Sequence, residues 1–108
     1  MTNEIILTTA FDVPGRKISK ILGIARGNTV RARNIGRDIA AGLKNLVGGE
    51  VKTYTEMVNQ SRDEALNRMV NQAIEMGADA VIGFRFTSST VMQNSSEILA
   101  YGTAVKLK

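Results

Sequence analysis

The chain has 108 residues, which fits one domain, and folding at this size buries roughly two thirds of the unfolded chain's surface. Apolar residues make up 44%, charged residues 22% and aromatic residues only 5%, so small and aliphatic side chains must fill the core. The absence of cysteine excludes a disulfide-stapled scaffold, and the net charge of +4 is far below that of a dedicated nucleic-acid binder; a solvated surface is its plainest reading.

Glu4 to Thr9 reads as a short strand around the run Ile5-Ile6-Leu7. Val13-Pro14-Gly15-Arg16 suits a type II turn, with proline second and glycine at the third position, where φ must be positive. Lys17 to Gly27 is then a second strand. Ile18, Leu22 and Ile24 fall on one face by alternation, Ile21 and Ala25 on the other, and the two strands are expected to form a hairpin. A strand apolar on both faces needs a cover on each.

Ile35 to Val47 reads as a helix, with Ile35, Ile39, Leu43 and Leu46 on one stripe, Asn34 as N-cap and Gly48-Gly49 as its stop. Gly42 within it suggests the close approach of another backbone. Glu50 to Met76 carries a longer helical pattern. Its stripe runs through Tyr54, Val58, Ala65, Met69, Ala73 and Met76, supported by Met57, Leu66 and Val70. Glu64 and Arg68 stand four apart in the favourable order. Ser61-Arg62-Asp63-Glu64 has the form of a capping box, so a break near Ser61 is one outcome; Gly77 suits the end.

Ala80 to Met92 reads as a strand with Ile82, Phe84 and Phe86 on the inward face, which turns polar from Ser88 through Thr90. After the turn cluster at Gln93-Asn94-Ser95-Ser96, Glu97 to Lys106 returns. Leu99, Tyr101, Thr103 and Val105 share one face, and the small Ala100, Gly102 and Ala104 share the other. The hairpin outruns the apolar surface available to cover it. The order β-β-α-α-β-β indicates a two-layer α+β fold, an antiparallel sheet with helices on one face.

Several of these stretches resemble the YbjQ family of uncharacterised, heavy-metal-labelled proteins. They are Asn34-Ile35-Gly36-Arg37-Asp38, Val47-Gly48-Gly49-Glu50, Tyr54-Thr55-Glu56-Met57, Arg62-Asp63-Glu64-Ala65, Met76-Gly77-Ala78-Asp79-Ala80-Val81-Ile82-Gly83 and Tyr101-Gly102-Thr103-Ala104-Val105. The resemblance spans essentially the whole chain, residues 1–108, as a single domain. It implies a dodecin-like subunit in a ring, a pentamer, and it implies no activity. The two-faced strand and the overlong hairpin agree with burial against sister copies; the alternative is a monomer with a loose hairpin tip.

The metal label finds no support in the residues. Soft metals prefer thiolate, thioether and imidazole, and there is no Cys or His; five methionines remain, of which Met57, Met69 and Met76 lie on or beside the apolar stripe. Glu56, Asp63 and Glu64 match no cation-binding loop. No metal ligand and no cofactor is expected.

Catalysis loses its commonest base and strongest nucleophile with His and Cys. Asp63 and Glu64, adjacent on a helix, cannot face each other, and the glycines fit neither phosphate-loop pattern. The chain is therefore expected not to be an enzyme; an enzyme using Arg, Asp and Tyr54 or Tyr101 on a charged substrate is the third-ranked reading.

The most suggestive cluster is Arg26, Arg31, Arg33 and Arg37, four guanidiniums in twelve residues ending at a helix N-terminus. With Asn34 and Tyr54 it could form an anion site. The favoured reading is that the arginines pair with acids such as Asp38, Glu50 or Glu56 of the same or a neighbouring subunit. The leading expectation is a non-enzymatic homo-oligomer that either binds a small ligand at its subunit boundaries, a small anion being one candidate, or serves structurally. The alternative is an anion- or nucleic-acid-binding module; nucleic acid is disfavoured because no exposed aromatics interleave the basic residues. Met1-Thr2-Asn3-Glu4 lacks a signal-peptide pattern and no apolar run approaches a membrane span, so the expected compartment is the cytoplasm.

Overall fold

The computed structural model describes residues 5–31, 51–92 and 95–108. The helix expected over 35–47, with Asn34, Gly42 and Gly48-Gly49, lies outside them. Among the described residues the elements are β1 (Ile6–Leu7), β2 (Ile18–Arg31), α1 (Val51–Glu75), β3 (Ala80–Met92) and β4 (Ser95–Leu107). One sheet holds the strands in the order β1-β3-β4-β2.

The architecture is α+β, but the sheet is mixed rather than antiparallel. β3 and β2 both run antiparallel to β4, whereas β1 lies parallel to β3, Ile6 opposite Ala80. The expected β1–β2 hairpin does not form; the two strands sit at opposite edges. The chain after β1 covers the rim of β3: Thr8 N–H donates to Val81 O at 3.0 Å and Gly83 N–H to Ala10 O at 2.8 Å. A few apolar residues thus satisfy an edge that would otherwise stay open. The expected turn does form: Arg16 N–H donates to Val13 O at 3.0 Å and Gly15 has φ 81°, where a Cβ would be strained.

α1 runs unbroken for 25 residues, about 38 Å. The capping-box pattern at Ser61 starts no new helix. Ser61 is buried, and its carbonyl accepts from Thr29 Oγ at 3.3 Å, tying the helix to β2. Glu64 and Arg68 form the expected pair at 3.7 Å, worth about 0.2–0.5 kcal/mol at such exposure. Gly77, at φ 83°, closes the helix, with Ala78 N–H donating to Ala73 O at 3.0 Å.

Size complementarity sets the packing of α1 on the sheet. The helix contributes Ala65, Met69 and Ala73, all fully buried; the sheet contributes Ala25, Val81, Ala100 and Ala104. Small residues on both surfaces let the backbones approach until Gly27 of β2 meets the helix main chain at Ala65 and Met69. A second, smaller cluster on the other side of the sheet joins Ala80, Ile82, Val105 and Leu107 to Val13 and Ile18.

Two bulges overturn the alternation expected from the sequence. The β2–β4 register shifts between Ile21 and Gly23, which moves Leu22 and Ala25 to the helix side and leaves Ile21 and Ile24 together on the other. In β3 a shift between Ile82 and Arg85 turns Ile82 away from the helix and Phe84 and Phe86 toward it. The three apolar residues of β3 therefore do not share one face. Phe84 packs on the helix-side core, while Phe86, in edge-to-face contact with it at 4.9 Å, is 41% exposed.

Helix side chains also guard the outer edge of β2. Gln72 Oε1 accepts from Arg26 N–H at 2.6 Å, and Arg68 Nη1 donates to Asn28 O at 2.5 Å. Gln72→Ala is expected to cost about 1 kcal/mol, the ordinary net value of one such bond, read as a lower urea midpoint at unchanged slope.

Candidate functional site

On the face of the sheet away from α1, the apolar surface near the second cluster continues into solvent. Ile21 stands opposite Val105, Ile24 opposite Thr103, Arg26 opposite Tyr101 and Val30 opposite Glu97. Ile21 is 68% exposed, Ile24 70% and Val30 54%, with Tyr101 beside them also exposed. Full burial of one aliphatic side chain of this size contributes about 1.5–3 kcal/mol. Three of them outside any core mark a surface with an unused driving force. Among the described residues, the requirement for a cover on both faces of β2 is thus half met: α1 supplies one.

The β3–β4 arm is the second open feature. From Thr87 to Thr90 every residue of β3 is exposed, as is Ser96 opposite Thr90. The radius of gyration is 17.0 Å, against about 13 Å for a compact domain of this length. The longest dimension of 54 Å is about twice the other two, 28 and 26 Å.

The predicted arginine cluster is only partly described. Arg26 is exposed on the face away from α1, and Arg31 ends β2. Arg33, Asn34, Arg37, Asp38 and Glu50 lie outside the described residues. Tyr54 lies in the first turns of α1, where the backbone alone is described, and Glu56 is exposed on the same helix. The cluster as a whole thus lies beyond the described residues.

Sequence reasoning missed another charged group. Arg16, Lys17, Lys20, Lys106 and Lys108 gather where the start of β2 meets the end of β4. Lys20 stands directly opposite Lys106, Lys108 N–H donates to Lys17 O at 2.8 Å, and Arg16 Nε donates to Lys108 O at 3.2 Å. These cations are 86 or more positions apart in the sequence between the two strands, so only the strand pairing reveals them. Linear patterning offered no signal.

The donor chemistry can be tested against metal binding. Among the described residues no three carboxylates cluster, and the whole chain has no thiolate or imidazole. Met69 is fully buried in the helix-side core, and the Met76 methyl packs at Gly23, 3.3 Å from where a Cβ would stand. These thioethers fill space between helix and sheet. Among the described residues no donor set fits a soft-metal site.

Comparison with known proteins places this arrangement. A solved structure from Pediococcus pentosaceus, a protein of unknown function in the DUF74 family, shares the fold with a TM-score of 0.63 at 18% identity, covering 96% of this chain and 98% of that one. The chain belongs to the YbjQ family: the family model described as "Putative heavy-metal-binding" matches residues 5–108. An uncharacterised UPF0145 protein from Archaeoglobus fulgidus is 56% identical over 108 residues, the full length of both chains. Those from Thermotoga maritima and Methanoculleus marisnigri are 56% identical over 103 residues and 58% over 102, covering 95% and 94% of this chain and 97% and 95% of theirs. Among the described residues no helix is long and apolar enough to cross a membrane.

Proposed function

We propose that this chain is a non-enzymatic subunit of a homo-oligomer, a dodecin-like subunit in a cytoplasmic ring of five. Subunit boundaries are then the place for a small ligand. The supporting observation is the uncovered face of β2, with Ile21 and Ile24 side by side and each about two-thirds exposed. A sister copy supplies the missing cover at no further sequence cost, and the exposed arm supplies a long surface to reach it. The ring and its size come from the family resemblance.

Light scattering on the purified chain tests the reading. The expected mass is about five times 11.7 kDa, falling to the single-chain value in Ile24→Asp with its far-ultraviolet circular dichroism unchanged. A wild-type chain of single-copy mass at micromolar concentration overturns the proposal. The heavy-metal description stays with the family; nothing in the donor set of this chain supports extending it here.

A further inference from the structure

A cleft of about 390 Å³, within the range of small-molecule sites, opens beside the cations at the β2–β4 end. Arg16 and Lys106 line it, together with Ile5, Ile74 and the chain reversal at Gly77 and Ala78. Its one acidic lining residue is Asp79, and both oxygens of that carboxylate are engaged. Oδ2 accepts from Leu107 N–H at 2.9 Å, and Oδ1 lies 4.0 Å from Lys106 Nζ. One carboxylate thus stands against Lys106 and four further cations on the adjoining backbone positions.

The register adds a second, independent observation. Lys20 and Lys106 are direct cross-strand partners, and like charges placed so repel. Edge lysines often protect a sheet from pairing with other chains, which could account for Lys20. It does not account for Lys106, because β4 lies inside the sheet between β3 and β2. By strand alternation Lys108 shares the face of Lys106. Such a concentration of positive charge weakens the free protein and strengthens its hold on an anion.

We propose that this cleft binds a small phosphate-type oxyanion. The Lys106 ammonium and the Arg16 guanidinium line the cleft, with Lys20 opposite Lys106 in register, a set of charges that suits a multiply charged tetrahedral head. Arg16 donates only its Nε to Lys108 O, which leaves its terminal nitrogens for the ligand. The rest of the cleft gives room for a group attached to the phosphate. The cleft shares no lining residue with the exposed β2 face of Ile21, Ile24, Arg26 and Val30.

The test uses pyrophosphate as probe, at low ionic strength, read by thermal melting and calorimetry. Sodium chloride at matched ionic strength and citrate serve as controls, and light scattering runs in parallel. Pyrophosphate is expected to raise the wild-type Tm well beyond the chloride control, since a ligand that binds only the folded state stabilises it. Lys20→Ala touches neither Asp79 nor the core. It is expected to melt higher than wild type without ligand, because the repulsion is gone, and to bind pyrophosphate about tenfold more weakly at unchanged oligomeric mass. Arg16→Ala weakens binding by a similar factor. The assignment is overturned if pyrophosphate does no more than chloride, if Lys20→Ala and Arg16→Ala bind it as wild type does, or if citrate binds as tightly. A single-chain mass beside intact pyrophosphate binding would sink the ring and leave this site standing.

Discussion

Gly27→Ala is expected to destabilise the chain by about 3 kcal/mol, the upper part of the range for overpacked interiors. The new methyl would sit far inside van der Waals contact of the Met69 amide nitrogen and the Ala65 carbonyl oxygen. Both are helix backbone, so no side chain can swing away; α1 itself must lift from β2. Lifting it would also draw Arg68 and Gln72 from the β2 edge they hold. Against a net stability of about 5–15 kcal/mol for a domain, the loss is large. Urea unfolding measures it; a midpoint within about 0.5 kcal/mol of wild type would mean that helix and strand are not in contact there. Gly102 is also confined: a Cβ there meets Cγ1 of the buried Val81 at 2.5 Å and the Ile82 backbone oxygen at 3.1 Å.

Met69→Ala is the second large effect, expected to cost about 3 kcal/mol within the 2–5 kcal/mol span of such truncations. Among the described residues Met69 is the largest fully buried side chain of the helix–sheet layer. Its neighbours Ala25, Ala65 and Ala73 are too short to collapse into the space it leaves. Met69→Leu keeps the volume and is expected to stay below about 1.5 kcal/mol. Thermal melts of the two variants side by side separate the cavity from the loss of sulfur. Equal destabilisation would mean that the position is sensitive to shape rather than to emptiness.

Much of the fold was legible because its signals are local. The stripe through Ala65, Met69 and Ala73, the turn at Pro14-Gly15, the stop at Gly77 and the small face of Ala100, Gly102 and Ala104 all follow from spacing and residue type. The face assignments of β2 and β3 were not legible. One added residue at a bulge reverses every later position, and periodicity cannot see where the partner strand slips. The parallel seat of β1 was missed for a related reason: pairing between neighbours in sequence is the default, and nothing within Ile5-Ile6-Leu7 names a partner some 75 positions away. The backbone approach at Gly27, where Ala25 and Gly27 face Ala65 and Met69 across the layer, was not legible in the sequence, and Gly42, where one is expected, lies outside the described residues. Of the candidate site, the arginine cluster could be read from linear density. The basic cleft could not, since Lys20 and Lys106 become neighbours only through the sheet.

The strand order carries one more consequence. β4 holds the centre, hydrogen-bonded to β3 on one side and to β2 on the other, yet it is the last of the four to leave the ribosome. Until residues 95–107 emerge, β2 has no partner strand, and α1 has only part of its floor. Nascent β2 must wait for closure over a loop of about 70 residues, a slow step by the standards of local contacts. β4 is thereby the closing element: the four-stranded sheet cannot exist before residues 95–107 emerge, and the interval in which Ile21 and Ile24 lie bare beside an unpaired backbone is when a chaperone would matter most.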